Sequence, residues 1–330
     1  MPPGEVRRLA LRHVPGEGTP EIERVSAGLV NETYRVVRDG IVYALRLAAA
    51  NSADRGRDGE SEACVLESAA AANIAPVPVV CQPQHGLLIS RWVEGRSWTA
   101  ADVRGRENIV RMADLLRRVH ALPLPSPARE MSPRKWIEHY TAAAAGSGGV
   151  PIWAAAAPLR TAADLRLTEL AELPGGGPVL CHSDLHTLNL IDRGDSLVLL
   201  DWEYAHAADP FWDLAGWSAN NVFGAELRHE LLAAYAGRTP TPSEERRLWL
   251  LCWLYDYVCL LWCKVASQDA AERGESGARV RQLQVRLAAT LSSRADQVPA
   301  HYPAPATPRG DTNGELNGAD DRSGPGWKGT

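Results

Sequence analysis

The chain has 330 residues, 45% of them hydrophobic, and a formal net charge of −5. That length buries a sizeable core and suits one large domain or two lobes. The mildly acidic balance supplies no basic footprint for nucleic acid or for an anionic membrane surface, so neither is an expected partner, and nothing in it sets an oligomeric state.

The opening segment, "MPPGEVRRLALRHV", lacks the apolar run of a secretory signal, which predicts a cytoplasmic protein. From Glu21 to Leu47 short apolar-polar runs alternate around Asp39-Gly40, a strong hairpin signal, and predict a three-strand antiparallel meander. "GESEACVLESAAAANI" is Ala-rich, ends near Pro76 and Pro78, and predicts a helix. "VPVVCQ" and "GLLISRWV" then form a second hairpin around Gln84-His85-Gly86. Five strands and one helix predict a small α+β lobe over residues 1–92.

Beyond "EGRSW" the pattern turns helical. "ENIVRMADLLRRVHAL" carries apolar positions at helical spacing, and "SPRKWIEHYTAAAA" and "PLRTAADLRLTELAEL" follow. Helical patterns return from Trp212 to about Arg294, giving a larger, mostly helical lobe over 93–295. Residues 296–330 are Pro, Gly and charge with little to bury, and predict a disordered tail.

Two features invite other readings. "LWLLCWLYDYVCLLWCKV", Leu248 to Val265, approaches the length of a membrane span, but Asp256 at its centre would cost on the order of 3 kcal/mol on insertion. It reads as a buried helix with an acid that needs a reason. The six cysteines form no CxxC pair and no zinc spacing, so they read as structural.

Between the helical runs lies "CHSDLHTLNLIDRGDSLVLLDWEYA", residues 181–205. "PVLCH" reads as a strand, "SDLHT" as a loop, and "LNLI" and "SLVLLDW" as a hairpin turning at "DRGD". Antiparallel pairing there returns Asp201 to the neighbourhood of Asp184 and Asn189. Two acids and an amide oxygen make a hard-oxygen set suited to magnesium, and the chemistry they suggest is phosphoryl transfer. Turn capping is the bland alternative for any one of them. The pattern HxDxxxxN followed by an apolar run ending in Asp argues for function.

"HSDLHTLNL" with "LLDWEYA" and "DPFWDLAGW" resembles the aminoglycoside phosphotransferase and choline kinase superfamily, and "DWEYA" is most similar to its choline, ethanolamine and thiamine kinase members. The resemblance runs from about Glu21 to about Val265 and implies a two-lobed protein-kinase-like fold with ATP and Mg²⁺ as cofactors. It implies Asp184 as catalytic base, Asn189 and Asp201 as Mg²⁺ ligands with Glu203 assisting, and His182 and Asp213 as supports of the catalytic loop. Asn31 falls in the phosphate-covering loop "SAGLVNETYRV", which lacks GxGxxG. Arg46 stands at the phosphate-contacting base, where two guanidinium donors can grip phosphate oxygens. Its ion-pair partner is Glu62, with Glu60 the alternative. The stretch "SRWVEG", with Trp92 and Val93, stands at the adenine-binding hinge. His120, at the end of a helix, reads as structural.

The implied reaction phosphorylates a hydroxyl of a small acceptor. Eleven tryptophans, among them Trp98, Trp136, Trp153, Trp212, Trp217, Trp249, Trp253 and Trp262 in the helical part, offer faces for one compact cation such as choline, ethanolamine or thiamine. An aminoglycoside or amino-sugar kinase, and a catalytically inactive nucleotide-binding module, are the alternatives. Asp256 with Trp249 and Trp253 shares one helix face, which makes Asp256 and Trp253 the candidate acceptor contacts, facing Asp184. An internal ion pair is the competing role for Asp256.

Overall fold

A computed structural model describes residues 2–25, 31–48, 59–146, 157–266 and 273–291. The tip of the phosphate-covering loop (26–30), Trp153 and the 296–330 segment lie outside them, as does the side chain of Glu60.

The chain begins with a helix that the sequence reading did not anticipate, α1 (Pro3–His13), started by Pro at its first turn. Val6, Ala10 and Val14 recur every fourth residue and are buried against the sheet that follows. The buried Arg38 guanidinium closes this helix by donating Nη1 to the carbonyl of Leu11 at 3.1 Å, and Nε to that of Gly18 at 2.8 Å.

Strands β1 (Glu21–Arg24), β2 (Glu32–Arg38), β3 (Ile41–Leu47), β4 (Pro78–Gln82) and β5 (Leu87–Arg91) form one antiparallel sheet in the order β1-β2-β3-β5-β4. Every second residue of β2 and β3 is buried, as a one-faced sheet requires. The β2–β3 turn uses Asp39 and Gly40, both with positive φ (51° and 76°), which is the two-residue turn that Asp-Gly favours. Helix α2 (Gly59–Ala71) follows β3 and sends Val65, Leu66 and Ala69 into the larger core of the helical part.

That part contains α3 (Arg106–His120), α4 (Pro133–Gly146), α5 (Ala157–Glu172), α6 (Phe211–Asn220), α7 (Ala225–Ala236), α8 (Pro242–Ala266) and α9 (Arg273–Ala289). The long apolar α8 is its spine, packed by α4, α5, α6 and α9, and most of its apolar window is buried inside the protein. Two short ribbons carry the polar stretch. In one, β6 (Val179–Cys181) pairs with β9 (His206–Ala208); in the other, β7 (Leu190–Asp192) pairs with β8 (Leu197–Leu199). The sheet is joined to the helices across β7. Arg96 and Asp192 exchange backbone hydrogen bonds of 3.0 and 2.8 Å, and Gly95 passes so close that a Cβ would stand 2.6 Å from the Asp192 carbonyl oxygen. Only glycine fits there.

Candidate active site

The loop between β6 and β7 is pinned from beneath. Asp213, fully buried on α6, accepts the backbone N–H of Ser183 at 2.7 Å and of His182 at 2.8 Å. These bonds hold Ser183 at φ 68°, a left-handed conformation a serine adopts only when its surroundings impose it. Burial opposes the Asp213 charge, but the bonds from His120 and the loop outweigh it and keep its carboxyl below the usual range. His120 reaches that carboxylate at 3.2 Å and the Tyr235 hydroxyl at 2.7 Å. The imidazole of His120, the thiol of Cys181 and the carboxylate of Asp213 lie together, yet both Asp213 oxygens already accept N–H groups, so the cluster is a hydrogen-bonded brace. His182 stands edge-on to Trp202 and its Nε2 lies 2.9 Å from the Leu200 carbonyl, which makes Nε2 the donor, while Nδ1 accepts the Asp184 N–H at 3.3 Å.

Above this base the side chains of Asp184, His186 and Asp201 remain 31%, 34% and 27% exposed, and so face the open side of the loop. Asn189 donates Nδ2 to both the backbone oxygen and Oδ2 of Asp184, at 3.0 Å each. His186 Nε2 approaches the same Oδ2 at 3.5 Å. Burial pushes the Asp184 pKa up, but His186 and Asn189 outweigh it and hold the acid ionised. Burial likewise disfavours a charge on His186, and Asp184 and Asp201 outweigh it, raising the imidazole above its ordinary value.

Asp201, also at positive φ (61°), follows β8 and meets Arg46. Arg46 Nη2 contacts both oxygens of Glu62 at 2.6 Å, and Nη1 lies 3.7 Å from Glu203. Glu62 is thus the partner on α2. One guanidinium serves three carboxylates; burial works against its charge, and Asp201, Glu62 and Glu203 together raise its pKa. Asn31 donates to Glu203 at 3.0 Å, tying the start of β2 to this cluster. The donor set fits a divalent cation. With Nδ2 of Asn189 spent on Asp184, its Oδ1 is left as an acceptor, Asp201 keeps Oδ2, and the carboxylates outnumber Arg46.

At the hinge, Arg91 and Trp92 spend their N–H groups on Val77 and Val42 oxygens (2.9 and 3.1 Å), so the base-binding role expected of Trp92 narrows to its carbonyl; the Val93 N–H has no bond among the described residues.

The expected acceptor contacts are corrected. Asp256 is buried and its charge is met by Arg286 on α9, with Nε to Oδ2 at 3.1 Å and a second contact between Nη2 and Oδ1. The indoles beside it are also occupied: the Arg166 guanidinium sits 4.2 Å over Trp253 and 5.3 Å from Trp249, and Trp253 Nε1 donates to Thr290. Both halves of the supposed cation pocket are filled from within the chain. One residue earlier, 100° around the helix, Tyr255 reaches the loop between β6 and β7, donating to the Ser183 carbonyl at 3.4 Å.

An aromatic wall stands elsewhere. Trp136 and Tyr140 of α4 stack at 5.5 Å, Tyr204 leans on Trp136 at 6.3 Å, and the half-buried Trp262 of α8 donates Nε1 to the Tyr204 hydroxyl at 3.0 Å. His206, edge-on to Trp136, lies 3.4 Å by Nε2 from Ser183 Oγ, next to Asp184. Tyr140 and Cys259 both feel the Asp184 charge, which adds to burial in raising their pKa values. Sequence reading had named Trp136 and Trp262 among many tryptophans; no local pattern singled out Tyr140 or Tyr204.

Residues 21–249 match the phosphotransferase enzyme family. The chain belongs to that family. It is accordingly a phosphotransferase. Its fold is similar to that of the choline kinase LicA of Streptococcus pneumoniae, with TM-score 0.73 and 20% identity over 87% of this chain and 98% of that one. LicA is also known in complex with AMP, a structure that matches with TM-score 0.70 and 18% identity over 87% of this chain and 98% of that one. A choline/ethanolamine kinase family protein of Mesorhizobium loti gives 0.67 and 22% over 88% and 95%. A macrolide 2′-phosphotransferase of Brachybacterium faecium, MphH, gives 0.57 and 19% over 84% and 97%. No curated protein matches the chain in sequence.

Proposed function

We propose that this phosphotransferase transfers the γ-phosphoryl group of ATP to a hydroxyl of a small cationic metabolite of the choline, ethanolamine or thiamine kind. The observation that carries the reading is the placement of Asp184, with one carboxylate oxygen held by Asn189 and the other without a partner among the described residues, near the half-buried rings of Tyr204 and Trp262, which the buried Trp136 and Tyr140 back from the core. Aromatic faces attract a quaternary or thiazolium cation, on the order of 1 kcal/mol per contact. The acid supplies the base. Likeness in fold to LicA, a choline kinase also solved with AMP, supports the nucleotide and the acceptor class.

In this reading the open Oδ1 of Asp184 takes the proton as the acceptor oxygen attacks the γ-phosphorus. The bond from that phosphorus to the bridging β,γ oxygen breaks, ADP departs, and Asp184 returns its proton to solvent. Asn189 and Asp201, with Glu203 beside them, would hold Mg²⁺, which neutralises phosphate charge when bound. Arg46, anchored by Glu62, is charged throughout and grips phosphate oxygens, and the Trp92 carbonyl and Val93 N–H receive the base.

The test is ADP release across choline, ethanolamine, thiamine, aminoglycosides, macrolides and amino sugars. Turnover with one of the first three, at a KM far below that of the others, is the expected result. Selective turnover of an aminoglycoside, macrolide or amino sugar overturns the acceptor class, and no turnover with any overturns it also.

A further inference from the structure

We propose that His186 is a positioning residue for the phosphoryl-transfer step, fixing the Asp184 carboxylate so that Oδ1 alone faces the acceptor hydroxyl. The inference rests on Asp184 being the base in the proposed function. A carboxylate held by one donor swings freely about its last torsion, because that torsion has broad wells. Here two donors converge on one oxygen: Asn189 Nδ2 at 3.0 Å and His186 Nε2 at 3.5 Å, both on Oδ2. Oδ1 has no partner among the described residues. The two donors cannot drift apart, since they open and close the single turn Thr187–Asn189, in which the Asn189 N–H bonds the His186 carbonyl at 3.0 Å. The turn is itself anchored from below. Leu185 is fully buried, and its carbonyl accepts Asn220 Nδ2 at 2.9 Å, while Asn220 is held by Arg279 at 2.8 Å and by the Tyr255 hydroxyl at 3.2 Å.

At 3.5 Å the His186 contact is longer than a formed hydrogen bond, as contacts around a base commonly are before substrate closes the site. Its role is geometric. With His186 in place the plane of the carboxylate is set by two directions, and the proton leaving the acceptor meets an aimed lone pair. Without it, Asn189 remains and Asp184 rotates.

The test compares His186→Ala, His186→Gln and His186→Asn with the wild type, each also in an Asp184→Asn background, by steady-state kinetics and melting temperature. The Ala variant is expected to lose between about tenfold and a hundredfold in kcat, the scale of a base misplaced by about an ångström, with the KM values for ATP and acceptor within about twofold. Gln, whose amide nitrogen reaches the position of Nε2, restores most of the loss, and the shorter Asn does not. In the Asp184→Asn background, followed by radiolabelled phosphate transfer, His186→Ala costs less than about twofold more, because the group it positions is gone. Wild-type kcat in His186→Ala, a full additive loss in the double variant, or no rescue by Gln overturns the inference while leaving the base in place. Wild-type turnover in Asp184→Asn itself removes the base, and this inference with it.

Discussion

One amide group of Asn189 holds two oxygens of Asp184, the backbone carbonyl and the carboxylate Oδ2, each at 3.0 Å. The amide is thereby turned so that its own oxygen points away from Asp184 and its acid partner keeps one oxygen open. A single rotamer would thus serve the proposed base and the proposed metal set together. Asp184→Asn is expected to lower kcat by about a hundredfold or more with the KM for ATP little changed, since the proposed contacts to the nucleotide are Arg46 and the hinge. Initial-rate kinetics check it, and unchanged turnover removes Asp184 from the mechanism.

The two proposed metal ligands differ in charge, and so should their variants. Asp201→Ala removes a negative ligand and also frees Arg46 from one of its three acids, whereas Asn189→Ala removes a neutral oxygen and the clamp on Asp184. The first is expected to shift the magnesium concentration for half-maximal rate strongly upward. The second lowers kcat even at saturating magnesium. A magnesium titration of both separates them, and coincidence of both curves with wild type rejects the assignment.

Asp256 and Arg286 form a buried pair, so breaking it is a stability experiment. Asp256→Asn leaves the Arg286 charge in the core and is expected to cost about 3–5 kcal/mol with KM for the acceptor unchanged. Denaturant unfolding measures the loss. A raised acceptor KM at normal stability would return Asp256 to the acceptor site.

His206 gives the fold a pH dependence with a definite sign. Burial among groups such as Trp136 lowers its pKa to about 4, against an ordinary value of 6.5, outweighing the bond to the Tyr204 carbonyl at 2.6 Å and the Asp213 charge, which both favour the protonated ring. The unfolded chain binds the proton first, so the stabilisation is complete above pH 6.5 and is lost as pH falls toward 4. The size is on the order of 3 kcal/mol, and His206→Gln should flatten melting temperature against pH across that window. A curve of unchanged slope in the variant would assign the loss to other groups.

Trp262 is, with Tyr204, one of the two wall residues that remain half-buried. Trp262→Leu keeps apolar bulk but loses the π face and the bond to Tyr204, and is expected to raise the acceptor KM by about tenfold while the KM for ATP stays put. Equal KM values in variant and wild type would place the acceptor against other side chains.

What was legible in the sequence was short in range. The meander could be read because Asp39 and Gly40 accept positive φ, and the Asp184, Asn189 and Asp201 set because one hairpin of fewer than twenty residues joins them, so covalent spacing alone brings them together. Helix α1 escaped because its buried face is only Val6, Ala10 and Val14, a stripe that means nothing until the sheet it covers exists. The role of Asp256 could not be decided locally. Its competitor for the site, Arg286, lies thirty residues away, the cation over Trp253 comes from Arg166, and one step along α8 turns a side chain by 100°, from Tyr255 at the loop between β6 and β7 to Asp256 in the core. Helical periodicity names a face. Which neighbour that face meets is set by packing between segments distant in the chain, and there the tertiary structure alone decided.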